Sequence, residues 1–382
     1  MAKIRVHKIS SVVYRLDLKR EVEITDEMEP RSGNLVVVRA LSEKRVYNEL
    51  ELENGRMSRI SRGDIIVGAL GRRRALQGFV GEVPKSLRIG DTLQLLNLGG
   101  VVGRSRSFHK DLGQPLVVEL LGMVVRDGRL ANIADAAMPV VEALAGRDIP
   151  PLVVVSGTCM NSGKTFACSQ LIQELSKRGN AIHGGKLSGV GCRRDTISME
   201  DHGALRTSSF LDVGYPSTAG LEPKAMVEIA RTVIAYLSEG DPDAIFLELG
   251  DGIIGDYGVL PMLEDPELAA RRTLHIFCAG DLVGCWGGHR FLADRSIGID
   301  LFSGPCTDSA VGVEYIEKAY GATAINARLN PERLGEEVAR RLGLAGPPAP
   351  ETAVAARSEP ADAPPANGKV AAPERPASTE KA

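Results

Sequence analysis

Lys164 and Thr165 close the strongest chemical pattern in the chain. They end the run Val153-Val-Val-Ser-Gly157-Thr-Cys-Met-Asn161-Ser162-Gly163-Lys164-Thr165, and Phe166 opens the stretch that follows. A β-branched run, a glycine-bounded loop and a Lys-Thr pair ahead of a helical stretch form the setting of a phosphate-binding loop. Backbone N–H groups at a helix start point at anionic oxygens, and the helix dipole adds partial positive charge. Gly163 lets the backbone approach phosphate where a Cβ would collide. Lys164 is placed to reach the β and γ phosphates, and the Thr165 hydroxyl to coordinate Mg²⁺. The expected nucleotide contacts are Gly157, Asn161, Ser162, Gly163, Lys164, Thr165 and Phe166. GTP-binding families read guanine with Asn/Thr-Lys-x-Asp after a late strand. Here that region reads Ile325-Asn326-Ala327-Arg328, so ATP with Mg²⁺ is the expected ligand.

Four further motifs follow in order. They are Lys186-Leu-Ser188-Gly189, Met199-Glu-Asp201-His-Gly, Leu247-Glu248-Leu-Gly250-Asp251-Gly252, and Ile276-Phe-Cys-Ala-Gly280-Asp-Leu-Val-Gly284-Cys285. With the five residues between Gly157 and Gly163, and Asn326 ahead of Pro331, they make residues 150 to 335 resemble a known branch of P-loop proteins. It is that of dethiobiotin synthetase and the cobyrinate amidoligases. The resemblance implies an ATP-dependent enzyme that activates a small carboxylate or carbamate as a mixed phosphoric anhydride. It implies Lys164, Lys186 and Glu248 as catalytic residues, and Thr165, Asp201 and Glu248 around the metal. Asn326 would read adenine. By the same analogy the chain is a homodimer acting on a small anionic substrate.

Each residue also has a plainer reading. Glu248 and Lys186 could be solvated strand ends, and Asp201 could lie in the first turn of a helix. Asp251 suits a turn between glycines as well as a metal or water ligand. The Arg193-Arg194-Asp195 run could grip an anion by forked hydrogen bonds or sit in a solvated loop. Cys159 and Cys192 read as idle thiols, His275 as a core residue and His289 as part of a flexible Gly287-Gly-His-Arg loop. Near the start, Arg72-Arg73-Arg74 and Gly99 to Lys110, with Arg104 and Arg106, are basic and glycine-rich. They read either as an anion site on a domain covering the ATP site or as solvated hairpin turns.

The elements that must position these residues fall into three regions. Residues 1–148 carry short β-like runs, at Leu35–Val38, Asp64–Val67, Thr92–Leu95 and Pro115–Val118. They predict a small β-barrel or sandwich of mostly antiparallel strands, with a helical period first appearing at Ala131–Ala145. Residues 149–344 alternate strands with helices, which predicts an α/β P-loop domain with a mostly parallel sheet covered by helices. Its strands are expected at 152–156, 181–187, 244–249, 274–279 and 323–327. Met226, Ile229, Val233 and Leu237 share one helical face within 222–239. Residues 345–382 contain eight prolines, twelve alanines and no aromatic residue, the composition of a disordered tail.

Composition narrows the function. Aromatic residues are only 4% with a single Trp, and net charge is −3, which argues against a nucleic-acid stacking platform or a field that captures membranes. No apolar run approaches a membrane span, and the six cysteines form no CxxC pair, as expected of a cytoplasmic chain with reduced thiols. The competing function is a nucleotide-dependent regulatory or metallochaperone-type switch without small-molecule turnover. Its metallochaperone form needs clustered His or Cys ligands, and these residues are dispersed.

Overall fold

The computed structural model describes residues 1–344 and 346. The predicted tail lies outside them, Gly346 excepted. Two sheets dominate, and residues 1–344 form one compact unit.

The first sheet closes on itself. Leu116–Arg126 pairs with Leu35–Ala40, which pairs with Ile65–Leu70, then Val101–Phe108, then Thr92–Leu95, which returns to Leu116–Arg126. Every contact in this ring is antiparallel except the one between Val101–Phe108 and Ile65–Leu70. The result is a small barrel, and it explains why Leu35–Ala40 is almost uninterruptedly apolar. Val36, Val38 and Ala40 fill the barrel, while Leu35 and Val37 join a second core that includes Leu187, Phe210 and Leu211. A strand buried on both faces carries no polar alternation. The helical period expected at 131–145 is not realised. Asn132 and Asp135 form a capping box on one 3₁₀ turn, Ile133–Ala136, and the chain then runs irregularly from Met138 to Pro151.

The second sheet has seven strands, all parallel. Their order is Arg206–Ser209, Ile182–Ser188, Ala244–Leu249, Leu152–Gly157, Arg272–Cys278, Leu301–Ser303, Thr323–Ala324. Helices α1 (Lys164–Lys177), α2 (Arg194–Asp201), α3 (Pro223–Leu237), α4 (Val259–Glu264), α5 (Pro266–Arg271), α6 (Leu282–Ala293), α7 (Ala310–Tyr320) and α8 (Pro331–Leu342) connect and cover it. This is the α/β architecture expected of residues 149–344, a parallel sheet covered by helices. The α3 face predicted from Met226, Ile229, Val233 and Leu237 is fully buried, and Pro223 starts the helix where its missing N–H costs nothing. Two strands escaped the sequence reading. Arg206–Ser209 is a polar edge strand, and Leu301–Ser303 is too short for a period to show.

His289 lies within α6, not in a loop. Gly288 marks where that helix presses on the sheet, because a Cβ there would come within 2.3 Å of the Phe277 ring. The barrel docks just as closely. A Cβ on Gly99 would lie 1.9 Å from the Gly191 carbonyl oxygen, and Asn97 donates to that same oxygen at 2.5 Å. Among the described residues no helix is long and apolar enough to cross a membrane.

Candidate nucleotide site

Parallel strands end together at one edge, and there the sequence places its chemistry. Glu248 is beside Val155 on one neighbouring strand and beside Lys186 on the other. The loop leaving Gly157 turns sharply. A Cβ at Gly157 would meet the Cys278 oxygen at 2.4 Å, Asn161 has φ +62°, and Gly163 has φ +94° with the Gly304 Cα against it. These constraints aim the start of α1 into a cavity of about 770 Å³.

Lys164 is buried, and its ammonium donates to the Cys159 carbonyl at 2.7 Å and to the Ser162 hydroxyl at 3.3 Å. Burial pulls it below the ordinary lysine range, with Glu248 opposing. The Thr165 hydroxyl donates to Glu248 Oε1 at 2.7 Å, while Glu248 Oε2 is buried with no partner. Asp251, on the loop after the Glu248 strand, likewise has an unpartnered buried Oδ1. Burial raises its carboxyl above the usual range, opposed by Lys164 and then by the backbone N–H of Met160. A hydroxyl, a carboxylate with a spare oxygen and a second carboxylate nearby fit Mg²⁺, a hard cation that keeps several waters and takes phosphate oxygens. Among the described residues no cluster of three His, Cys, Asp or Glu makes an all-protein metal cage.

Lys186 reaches the same cavity and is ion-paired with Asp195. Asp195 stands in the first turn of α2, and Asp195, Ser198 and His202 follow one another at helical spacings of 3 and 4, all on the cavity wall. Asp201 is off that face. It ends α2, is exposed and is not part of the cavity, so the structure corrects its assignment to the metal. The expected first turn of a helix at 198–201 is the last turn of one that begins at Arg194. Only this earlier start brings Asp195 inward, and the Arg-Arg-Asp run is the signal that marked it.

Asn326 is buried and saturated. Its Nδ2 donates to Thr307 and Asp308, and its Oδ1 accepts from the N–H groups of Arg328 and Leu329. It shapes the turn and is not on the cavity wall, which corrects its placement against adenine. Beside that turn, the Arg328 guanidinium lies 5.1 Å over the Phe166 ring, and both side chains line the cavity. Asn161 is exposed at the tip of the loop and donates to Gln77 of the barrel domain at 2.9 Å.

The other residues singled out divide cleanly. His275 is in the core, bonded to Ser156 and to the Gly298 carbonyl, and burial lowers its pKa to about 4. Cys192 borders the cavity with its thiol on Glu51, and burial pushes it up to about 12. Arg193 is occupied by Glu53 and the Tyr14 ring, whereas Arg194 faces the cavity. Arg104 and Arg106 are exposed on the far side of the barrel strand, Arg106 against Glu82. They do not reach the cavity. The barrel instead contributes Tyr47, Arg73, Ala75, Asn97 and Leu98, of which Arg73 and Ala75 belong to the Gly71-Arg-Arg-Arg-Ala run and the others to no motif.

No family model matches the sequence, and no curated protein does. Solved structures give matches. The signal recognition particle 54 kDa protein of Aeropyrum pernix K1, in complex with GDP, is 20% identical with a TM-score of 0.34, over 52% of this chain and 48% of that one. FtsY from Elizabethkingia anophelis in complex with GDP is 13% identical with a TM-score of 0.35, over 50% of this chain and 60% of that one. FtsY from Thermotoga maritima is 12% identical with a TM-score of 0.37, over 53% and 73%. This chain thus spans about half the length of the first of these. None of the three is a dethiobiotin synthetase, and that resemblance gains nothing from them.

Proposed function

We propose that the chain is a Mg²⁺-dependent nucleoside triphosphatase, with ATP as its nucleotide, whose nucleotide state is felt by the barrel domain. In this reading the phosphates lie on residues 157–165, Lys164 spans the β and γ groups, and Thr165 with Glu248 orients the metal. The Phe166–Arg328 pair forms the platform for the base. Mg²⁺ supplies charge neutralisation on the phosphates, and Lys164 and the α1 amides stabilise the oxygens that gain charge during transfer.

One observation carries the switch reading. The two segments that face a terminal phosphate are both tied to the barrel. Asn161 holds Gln77, while the loop after Glu248 pairs Asp256 with Arg74 and offers the Tyr257 hydroxyl to the Arg74 N–H at 3.0 Å. A shift of either segment on loss of the terminal phosphate therefore pulls on residues 72–79. A second reading, transfer of the phosphoryl group to a small carboxylate or carbamate, is favoured by the cavity's continuing past the phosphate loop to the barrel wall.

The test is ADP release by the full chain with Mg·ATP and with Mg·GTP, alongside hydrogen exchange of residues 72–79 in ADP and in a non-hydrolysable ATP analogue. Turnover with ATP and a nucleotide-dependent change in exchange support the switch. Turnover that appears only when a carboxylate metabolite is added supports the second reading. No binding of either nucleotide removes both.

A further inference from the structure

Five cationic and three carboxylate side chains line the cavity, and two of the cations, Lys164 of the loop described above and Arg73 of the barrel, are almost completely enclosed with only neutral hydrogen-bond acceptors. Arg73 is only 4% exposed. Its Nη1 donates to the Leu96 carbonyl and, at 3.1 Å, to the Tyr47 hydroxyl, both neutral acceptors. Its Nε is buried with no partner. Among the described residues no carboxylate stands within ion-pair distance of it, in contrast to its neighbour Arg74 on Asp256 and to Lys186 on Asp195, and the Asp251 carboxylate on the same cavity feels its charge only from beyond that distance. A buried charge without a counter-charge is costly, and a protein keeps one where something else supplies the opposite sign.

The surroundings hold the guanidinium rather than merely tolerate it. Its Cζ lies 5.7 Å from the Tyr47 ring and 5.5 Å from the Phe79 ring, and these two rings meet edge-on at 5.4 Å. Tyr47 adopts φ +61°, a left-handed conformation unfavourable for a bulky residue that persists where the surroundings enforce it. Gly78 closes the turn over the group, since a Cβ there would lie 2.8 Å from Nη2. Four residues after Arg73, Gln77 grips the phosphate loop at Asn161, so the turn that carries the arginine is fastened to the loop it would serve.

From this geometry we infer that Arg73 anchors a second oxyanion subsite on the barrel wall of the cavity. The subsite takes a phosphate- or carboxylate-type oxyanion through the planar guanidinium fork. The inference deepens the function proposed above and rests on it for the position of the terminal phosphate. The oxyanion has two sources, the terminal phosphoryl group itself or an anionic acceptor bound beyond it.

Orthophosphate is the probe, titrated calorimetrically into the full-length protein saturated with Mg·ADP. Wild type binds phosphate. Arg73→Gln weakens that binding at least tenfold and leaves ADP affinity within twofold, and Arg73→Lys falls between them because it keeps the charge and loses the fork. Repeating the titration with a non-hydrolysable ATP analogue identifies the source. Phosphate that still binds marks a separate acceptor site, and phosphate that is excluded marks the terminal phosphoryl position. Thermal unfolding checks that Arg73→Gln is folded, and Arg73→Lys carries the test if it is not. Unchanged phosphate binding in the variants, or no phosphate binding in a wild type that binds ADP, overturns the subsite. A wild type that binds no ADP overturns the nucleotide reading instead, and phosphate titrated into the protein alone then tests Arg73 separately.

Discussion

The two walls of the cavity are built on opposite principles. On the sheet side, a single loop supplies most of the groups in consecutive residues. Glycines, Lys164 and Thr165 come from one loop, and Glu248 and Lys186 from the ends of adjacent strands. There Lys186 is paired with Asp195 and Glu248 accepts from Thr165 on one oxygen, while Lys164 is held by neutral oxygens of its own loop. On the barrel side, Tyr47, Arg73 and Asn97 come from three separate stretches of chain, and the charged member is not neutralised. A loop that binds phosphate with backbone amides must be contiguous, because successive N–H groups have to converge. A wall that supplies side chains needs only a closed barrel to bring distant residues together.

The sharpest way to break the comparison is to disable the sheet side alone. Lys164→Ala removes the cation that spans the phosphates and should cut ATP turnover by about 10²–10³-fold. ADP release assays measure it. A barrel side that carried the phosphates by itself would leave turnover unchanged. Next in size is the engaged pair. Lys186→Met leaves Asp195 largely buried without its partner, a change worth roughly 3–5 kcal/mol at full burial and less here, where the side chains keep 12% and 20% exposure. The double variant Lys186→Met/Asp195→Asn should recover much of the loss in denaturant unfolding. Equal destabilisation of single and double variants would show that the pair is not coupled.

A pH dependence follows from the core below the site. His275 is held neutral, with a pKa of about 4 in the folded chain against 6.5 as the ordinary value. The unfolded chain therefore binds the extra proton between these values. The resulting stability is full above about pH 6.5, falls as pH drops through the window, and levels off below about 4. The depression corresponds to about 3 kcal/mol. Urea unfolding from pH 7 to 4 should show this slope, and His275→Phe should flatten it. The smallest effect is expected at the surface link. Gln77→Ala should cost less than about 1 kcal/mol, since the bond is exposed, yet it should weaken the nucleotide dependence of exchange at residues 72–79.

The same contrast explains what could be read from the chain beforehand. The phosphate loop, its flanking strand and helix, and the apolar face of α3 are local patterns, and they stand where residue spacing put them. The inward acid of α2 was missed because Asp195 and Asp201 both fit a helix, and only the position of its first turn decides which one faces the cavity. Asn326 looked free because its four hydrogen bonds are made to residues that only the folded turn brings near. In the barrel, Arg73 was visible as one of three arginines in a row. Its burial depends on Tyr47, 26 residues away, and on Phe79 across the turn, while its two neighbours are exposed.

The central claim is that residues 157–165 and Glu248 together hold a magnesium-bound nucleotide. Calorimetric titration of a non-hydrolysable ATP analogue into wild type and Glu248→Gln, each with and without Mg²⁺, tests it most directly. The account predicts that Mg²⁺ strengthens binding at least tenfold in wild type and much less in Glu248→Gln. Binding that ignores Mg²⁺ in wild type, or a Mg²⁺ effect undiminished in the variant, would contradict it.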